Sequence, residues 1–461
     1  MTVPTTPIER SMVEELAARI EGTRLADLPS SALAIATNDL IDAAGLCVAA
    51  RDADYMRALL DGWEGSGECT AIGHAQALDA PGAAVVNGTA IHGEDFDDTL
   101  EGAPLRLAAM VIPAVLAAAE RHRLSGRDAM RGIVVGLETL CRVNTVVPGG
   151  IHRAGFHPVG VLGPLGAAAG VASAIGLDAA AAARALGIAS SFSSGTLAYL
   201  DDASSTKRLH PGWAAQSGYR AALLGRAGFG APRFVFEGEH NFFRAFAPSS
   251  TPDFGKLLEG WGETWLMERI AFKLYPCGTM IHPYIDCMLE LRKRGVDADD
   301  IVEVECETGE GLVDRLWEPL AEKQRPASGY AGKFSMPYCM AVAFVVGSVG
   351  LSEFSDERTA DPAVVALASR IHYVIDPDNE YPANYSGHVR VRLRDGSVQE
   401  LRQPHFRGGA REPLGRGELV AKFHANVAHG GWPAERGEAL LRLVLELADQ
   451  PRLDGLAAFR G

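Results

Sequence analysis

Four stretches of the chain concentrate side chains able to move protons or hold anions. The first, NGTAIHGEDFDDT (Asn87 to Thr99), sets Glu94, Asp95, Asp97 and Asp98 within five consecutive residues beside His92. Carboxylates that crowded repel one another, so the run reads as a metal cradle, an acid–base centre or a solvated helix start. Imidazole and carboxylate are good metal ligands. However, spacings of i, i+3 and i+5 from His92 spread the donors over more than one face of a helix. In the acid–base reading one carboxylate orients a base and the Thr99 hydroxyl binds substrate. The second stretch, IHRAGFHPVG, flanks His152, Arg153 and His157 with glycines. The third, SSTKRLHPGWAAQSG, places Lys207, Arg208 and His210 just before a helix expected to begin near Pro211, whose free N–H groups favour anions. The fourth, FKLYPCGTMIHPYIDCM, offers Lys273, Tyr275, Cys277, His282 and Asp286. No local signature marks Cys277 as a nucleophile, and His210 and His282 also suit core packing.

Together these groups can take a proton from carbon next to a carboxylate. Such chemistry needs a base with a pKa near the working pH. It also needs fixed positive charge where negative charge builds up in the transition state. Histidine and lysine supply the first, lysine and arginine the second. The chain as a whole carries a formal charge of −15. That balance excludes nucleic acid and an anionic membrane as expected partners, since both need a basic surface. An anionic substrate therefore requires its cations to be gathered locally, which these stretches would do.

The elements that must position these groups fall into two textures. Up to about residue 265 the pattern is helical and rich in alanine and glycine, as in SALAIATNDLIDAAGLCVAA, AAMVIPAVLAAAERH and GVLGPLGAAAGVASAIGLD. Gly160, Gly163 and Gly166 resemble a nucleotide loop, but no strand precedes them and no phosphate-binding lysine follows, so close helix packing is the expectation. Beyond that point IVEVECETG and HVRVRLRDGSVQEL alternate like strands, with a hairpin turn at Asp395-Gly396. Arg390, Arg392 and Arg394 then share one face, read as solvated. The seven cysteines are dispersed without a C-x-x-C pair, as reduced thiols are, and give no zinc or iron–sulfur spacing. The N-terminal MTVPTTPIERSMVEEL lacks a signal-peptide pattern, and no membrane-length apolar run free of Gly, Pro or charge occurs, so a cytoplasmic location is expected.

NGTAIHGEDFDDT, GFHPVGVLGPLGAAAG, TKRLHPGWAAQSG, FKLYPCGTMIHPYID and AGKFSMPYCMAVAFVVG, in that order, resemble motifs of the MmgE/PrpD family. That family includes 2-methylcitrate dehydratases, cis-aconitate decarboxylases and iminodisuccinate epimerases. The resemblance implies a mainly α fold: a large all-helical domain from residues 1–267 and 408–461, with a smaller α+β lid domain inserted at 268–407. It implies a homodimer acting on a small carboxylate, with neither metal nor organic cofactor. Carried over motif by motif, Asp95, Thr99, His157, Lys207 and Lys273 line the pocket. The expected roles are His157 as general base, Asp95 orienting a basic group, Lys207 and Lys273 clamping carboxylates, and Thr99 positioning substrate. Arg106, Arg153, His210 and His282 are further substrate-binding candidates. Two departures stand out. Leu105 or Arg106 stands where a histidine commonly follows the Asp-Asp-Thr, and Gly278 or a neighbour replaces a second histidine after Lys273. Arg106 cannot deprotonate to replace a proton donor, though it can bind a carboxylate. Val159 further stands where a threonine is usual. The expected activity is a lyase that abstracts a proton α to a carboxylate and then loses water or CO2. The alternatives are an epimerase using the same abstraction, and a non-catalytic binding or assembly member.

Overall fold

The structure, a computed structural model, describes residues 10–103, 105–202 and 204–461. The first nine residues of the N-terminal stretch considered above lie outside that range. The fold is mostly helical with a small mixed sheet. It divides into two compact units: one holds the chain up to Gly93, Asp97–Ile270 and Gly430–Gly461, the other Glu94–Phe96 and Ala271–His429.

The first unit is built from helices that are apolar nearly all round. All 14 residues of Ala80–Gly93 are buried, and Pro158–Ala174 is buried from Val159 onward. A helix without a polar face belongs inside a protein core. Ser30–Ala49 is long and apolar enough to cross a membrane, but 72% of its apolar 18-residue window is buried within the protein, as a core helix is. Glycine sets how closely these helices approach. A Cβ on Gly88 would lie 2.7 Å from the Gly212 Cα, and one on Gly163 would lie 2.7 Å from the Ala214 Cβ. Gly166 likewise faces Leu140 from the Gly126–Thr145 helix. Of the glycines that look like a nucleotide loop, Gly163 and Gly166 are thus contact points between helices, whereas Gly160 faces the Ser194 carbonyl of a loop.

The second unit carries a four-stranded sheet in the order Ile371–Ile375, Ile301–Thr308, Gly387–Leu393, Val398–Gln403. The first pair is parallel and the other two antiparallel. Alternation assigns the faces: Val389 and Val391 are fully buried, whereas Arg390 and Arg392 point away. The register sets Arg390 opposite Glu305 and Arg392 opposite Glu303. The arginines accordingly pair with glutamates, Arg392 Nη2 to Glu303 Oε2 at 2.6 Å and Arg390 Nη1 to Glu305 Oε1 at 3.3 Å. Exposed pairs of this kind contribute about 0–1 kcal/mol each. His282–Lys293 and Met336–Val346 supply the helical side of the same unit.

The second unit extends to His429 rather than ending at 407. The extra piece is the Arg416–His429 helix, whose apolar spacing resembles that of the helical unit and so misplaced the expected boundary. Its Lys422 Nζ donates to the Phe96 carbonyl at 2.7 Å and lies 3.8 Å above the Phe96 ring centre, which accounts for the short Glu94–Phe96 segment in this unit.

Candidate active site

The helical unit brings together three histidines from three distant stretches. His157 occupies the N-cap position of the Pro158–Ala174 helix, with Pro158 at its first turn, where the missing proline N–H costs nothing. Its backbone N–H donates to the Gly195 carbonyl at 2.9 Å, fixing the entry to the helix. His210 lies in the Thr206–Arg226 helix. That helix starts at Thr206, five residues before the expected Pro211, so Lys207 and His210 ride on its first turns rather than preceding it. Proline is common at a helix start, but here Pro211 sits inside one.

The Nδ1 atoms of His157 and His210 are 2.9 Å apart. One must donate and the other accept, so neither ring can carry its proton arrangement independently. The Tyr199 ring meets both edge-on, at 5.5 Å from His157 and 5.9 Å from His210. Burial holds the His157 pKa well below the ordinary histidine value, and the nearby His92, Lys207, His210 and Arg106 push the same way. Burial, His92 and Lys207 likewise lower His210 to about 4. Both rings are therefore neutral at neutral pH. With His157 Nδ1–H donating to His210, its Nε2 lone pair is left to accept a proton.

The sign of the shift gives an expected result. A base works only while unprotonated, and lowering its pKa moves the loss of activity to lower pH. The acid limb of kcat/KM should fall below the ordinary histidine value of 6.5. An inflection at or above 6.5 in the pH–rate profile of the free enzyme would contradict His157 as the base.

The acidic run resolves into separate tasks. Asp98 accepts from the backbone N–H groups of Leu107 and Ala108, both at 3.1 Å, at the start of the Ala108–His122 helix. Burial first, then the charge of Asp97, pushes its carboxyl up to about 8. Asp97 Oδ2 is 2.8 Å from His92 Nδ1, and its Oδ1 is 3.4 Å from Arg106 Nε. Arg106 also donates to the Asp98 carbonyl at 2.9 Å. Arg106 thus enters this cluster as the partner of a carboxylate. Thr99 is buried, at the start of the short Thr99–Leu100 strand. Arg153 is exposed, with its guanidinium turned back onto the Pro148 carbonyl at 3.3 Å.

The remaining candidates lie in the second unit. Lys273 is fully buried and donates to the carbonyls of Asp95 at 2.5 Å and Cys277 at 2.8 Å. Its Nζ also stands 3.5 Å from Asp95 Oδ1. Asp95 adopts φ of +56°, a left-handed conformation that Asp tolerates better than most residues and that the Lys273 bond to its carbonyl holds in place. His282 is fully buried, its ring edge-on to Tyr275 and Phe406 at 5.0 and 5.2 Å, as a core aromatic would be. Among the described residues no group of three or more His, Cys, Asp or Glu side chains is arranged to hold a metal ion.

The sequence offers His92 to a metal or to an acid–base site in which one carboxylate orients a base, without marking Asp97 as its partner. An i, i+5 His–Asp spacing running off a helix end was the available signal. Tyr199 carried no sequence signal at all.

A family model described as the MmgE/PrpD N-terminal domain matches residues 14–255, and one described as the MmgE/PrpD C-terminal domain matches residues 275–447. The chain is 28% identical over 425 residues to a cis-aconitate decarboxylase of Aspergillus terreus, covering 86% of this chain and 85% of that one. It is 29% identical over 391 residues to the human cis-aconitate decarboxylase, covering 80% and 76%. With the 2-methylcitrate dehydratase of Cupriavidus necator it shares 27% identity over 275 residues, covering 57% and 54%.

Proposed function

The chain belongs to the MmgE/PrpD family, and from that premise we propose that it is a lyase acting on a small di- or tricarboxylic acid, with His157 removing a proton α to a carboxylate. The similarity to cis-aconitate decarboxylases and to a 2-methylcitrate dehydratase supports the reaction class. The observation that carries the assignment of the base is the neutral, buried His157, backed at Nδ1 by His210 and lying in the field of Lys207 and Arg106. Burial and positive neighbours keep the ring unprotonated, as a base must be. The same neighbours favour an anion beside it, as a carboxylate substrate requires.

In this proposal Lys207, half-buried on the first turn of its helix, attracts a substrate carboxylate. His157 Nε2 takes the α-proton, and the electron pair left on carbon is stabilised by that carboxylate and the cation holding it. Loss of the hydroxyl from the neighbouring carbon as water completes a dehydration; in a decarboxylation the abstracted proton is first returned elsewhere on the substrate, and the C–C electron pair that CO2 leaves behind takes a further proton. Lys273 and Asp95, paired within the second unit, remain proposed as a carboxylate-binding cation and its tuning acid. The chemistry is proposed to run on side chains alone.

A second reading, epimerisation, keeps the same abstraction and returns the proton from the other face. Arg106 favours it: the guanidinium is tied to Asp97 and cannot protonate a leaving group.

Proton NMR in deuterated water, with a panel of small di- and tricarboxylic acids, tests both readings. The lyase should incorporate deuterium at the α-carbon and accumulate an unsaturated or decarboxylated product. Deuterium uptake with inversion and no such product would favour the epimerase. Neither exchange nor turnover across the panel, in protein whose carboxylate binding is unaffected by Lys207→Ala, would leave a non-catalytic binding role and overturn both.

A further inference from the structure

His92 is 2% exposed, and its Nδ1 is held 2.8 Å from Asp97 Oδ2, while the other Asp97 oxygen faces Arg106. Its Nε2 is buried and has no hydrogen-bond partner among the described residues. A buried ring nitrogen left unpaired costs free energy. A fold that pays for it elsewhere tends to do so where a ligand will fill the gap. The ring centre lies 5.8 Å from that of His157, near enough for the two rings to reach adjacent atoms of one bound acid. Arg106 never gives up a proton, so its part is to fix Asp97. Of His92, Asp97 and Arg106, His92 has a ring nitrogen that neither of the others engages.

We propose that His92, oriented by Asp97, is the second proton-transfer group of this site and delivers its Nε2 proton after His157 has removed the first. The assignment rests on the proton-abstraction reading above. For a β-hydroxy acid the atoms balance as follows. His157 takes the α-proton first, leaving the C–H electron pair on carbon; that pair then becomes the new C=C bond as the C–O bond breaks. The departing oxygen takes the Nε2 proton of imidazolium His92 and leaves as water. His157 ends protonated and His92 ends neutral, with its Nδ1 proton still shared with Asp97. Exchange with solvent restores both.

This order separates two measurements that a merely structural histidine would move together. With the acid that wild-type protein turns over, His92→Gln should keep α-proton exchange within about tenfold of wild type. Net product formation should fall at least 30-fold, with part of it restored by added imidazole. Asp97→Asn, which leaves the ring in place, should show the same split to a smaller degree and carries the test if His92→Gln melts early. Turnover within threefold of wild type, or equal loss of exchange and turnover in a variant that melts normally, would overturn the role given to His92. Wild-type protein that neither exchanges nor turns over any acid would instead overturn the reading on which it rests.

Discussion

Replacing His157 by asparagine should lower kcat/KM by about 10²–10⁴-fold, the range expected for loss of a general base. Asparagine is close in size and keeps a polar group beside His210, so the helix entry and its bond to Gly195 should survive. It has no lone pair basic enough to accept a proton from carbon. Deuterium exchange at the α-carbon should be lost to the same degree as turnover, because both begin with the same step. That parallel loss distinguishes His157 from His92, whose replacement should spare exchange. His210→Asn should cost less, about tenfold, since it removes the acceptor that fixes the His157 tautomer but not the base. A His157→Asn protein that retains more than a tenth of wild-type activity, with an unchanged melting profile, would assign the abstraction to another residue.

The second large effect concerns stability. Arg142 and Glu138, one helical turn apart in the Gly126–Thr145 helix, are each 1% exposed in their side chains and joined at 2.6 Å. Arg142 also donates to the carbonyls of Glu259 at 2.6 Å and Thr264 at 2.8 Å, and packs its guanidinium over Trp261. Glu138 accepts from the Met267 N–H at 3.0 Å. The pair therefore pins an otherwise irregular segment, residues 259–267, onto the helical unit. Burial raises the Glu138 pKa while Arg142 opposes it, so removing the arginine strands a carboxyl in the interior. Arg142→Ala should cost about 3–5 kcal/mol, the usual penalty for breaking a buried pair by removing one partner. Glu138→Leu with Arg142→Met should recover part of that loss, because apolar residues of similar volume need no solvation. Denaturant unfolding of the three proteins measures both. A single-variant loss under 1 kcal/mol would mean that the segment is held by other contacts.

The chain's linear order determined a good deal by itself. Strict alternation from His388 to Leu393, with Asp395-Gly396 after it, specifies a strand and a hairpin, since side chains on a strand change face at every residue. Long Ala- and Gly-rich runs specify buried helices packed closely, and Gly88, Gly163 and Gly166 are found at such contacts. The stretches holding His157, Lys207, Asp95 and Lys273 were legible because their residue types are costly to place and suit one chemistry.

Tertiary structure alone decided which of those residues meet. His157 and His210 are 53 positions apart and hydrogen-bond only because two helices cross with the right phase, which small residues at their contacts permit but local spacing does not encode. Of four neighbouring carboxylates, Asp97 faces His92, Asp98 sits at a helix start, Glu94 pairs with Lys333 at 2.7 Å and Asp95 faces Lys273. Their crowding is relieved by sending each toward a different partner. Protonation follows the same logic. A histidine's composition gives it a value near 6.5, and only burial among other cations lowers that of His157. Spacing along a chain fixes neighbours within one turn or one strand, whereas burial and long-range charge exist only after the helices have packed.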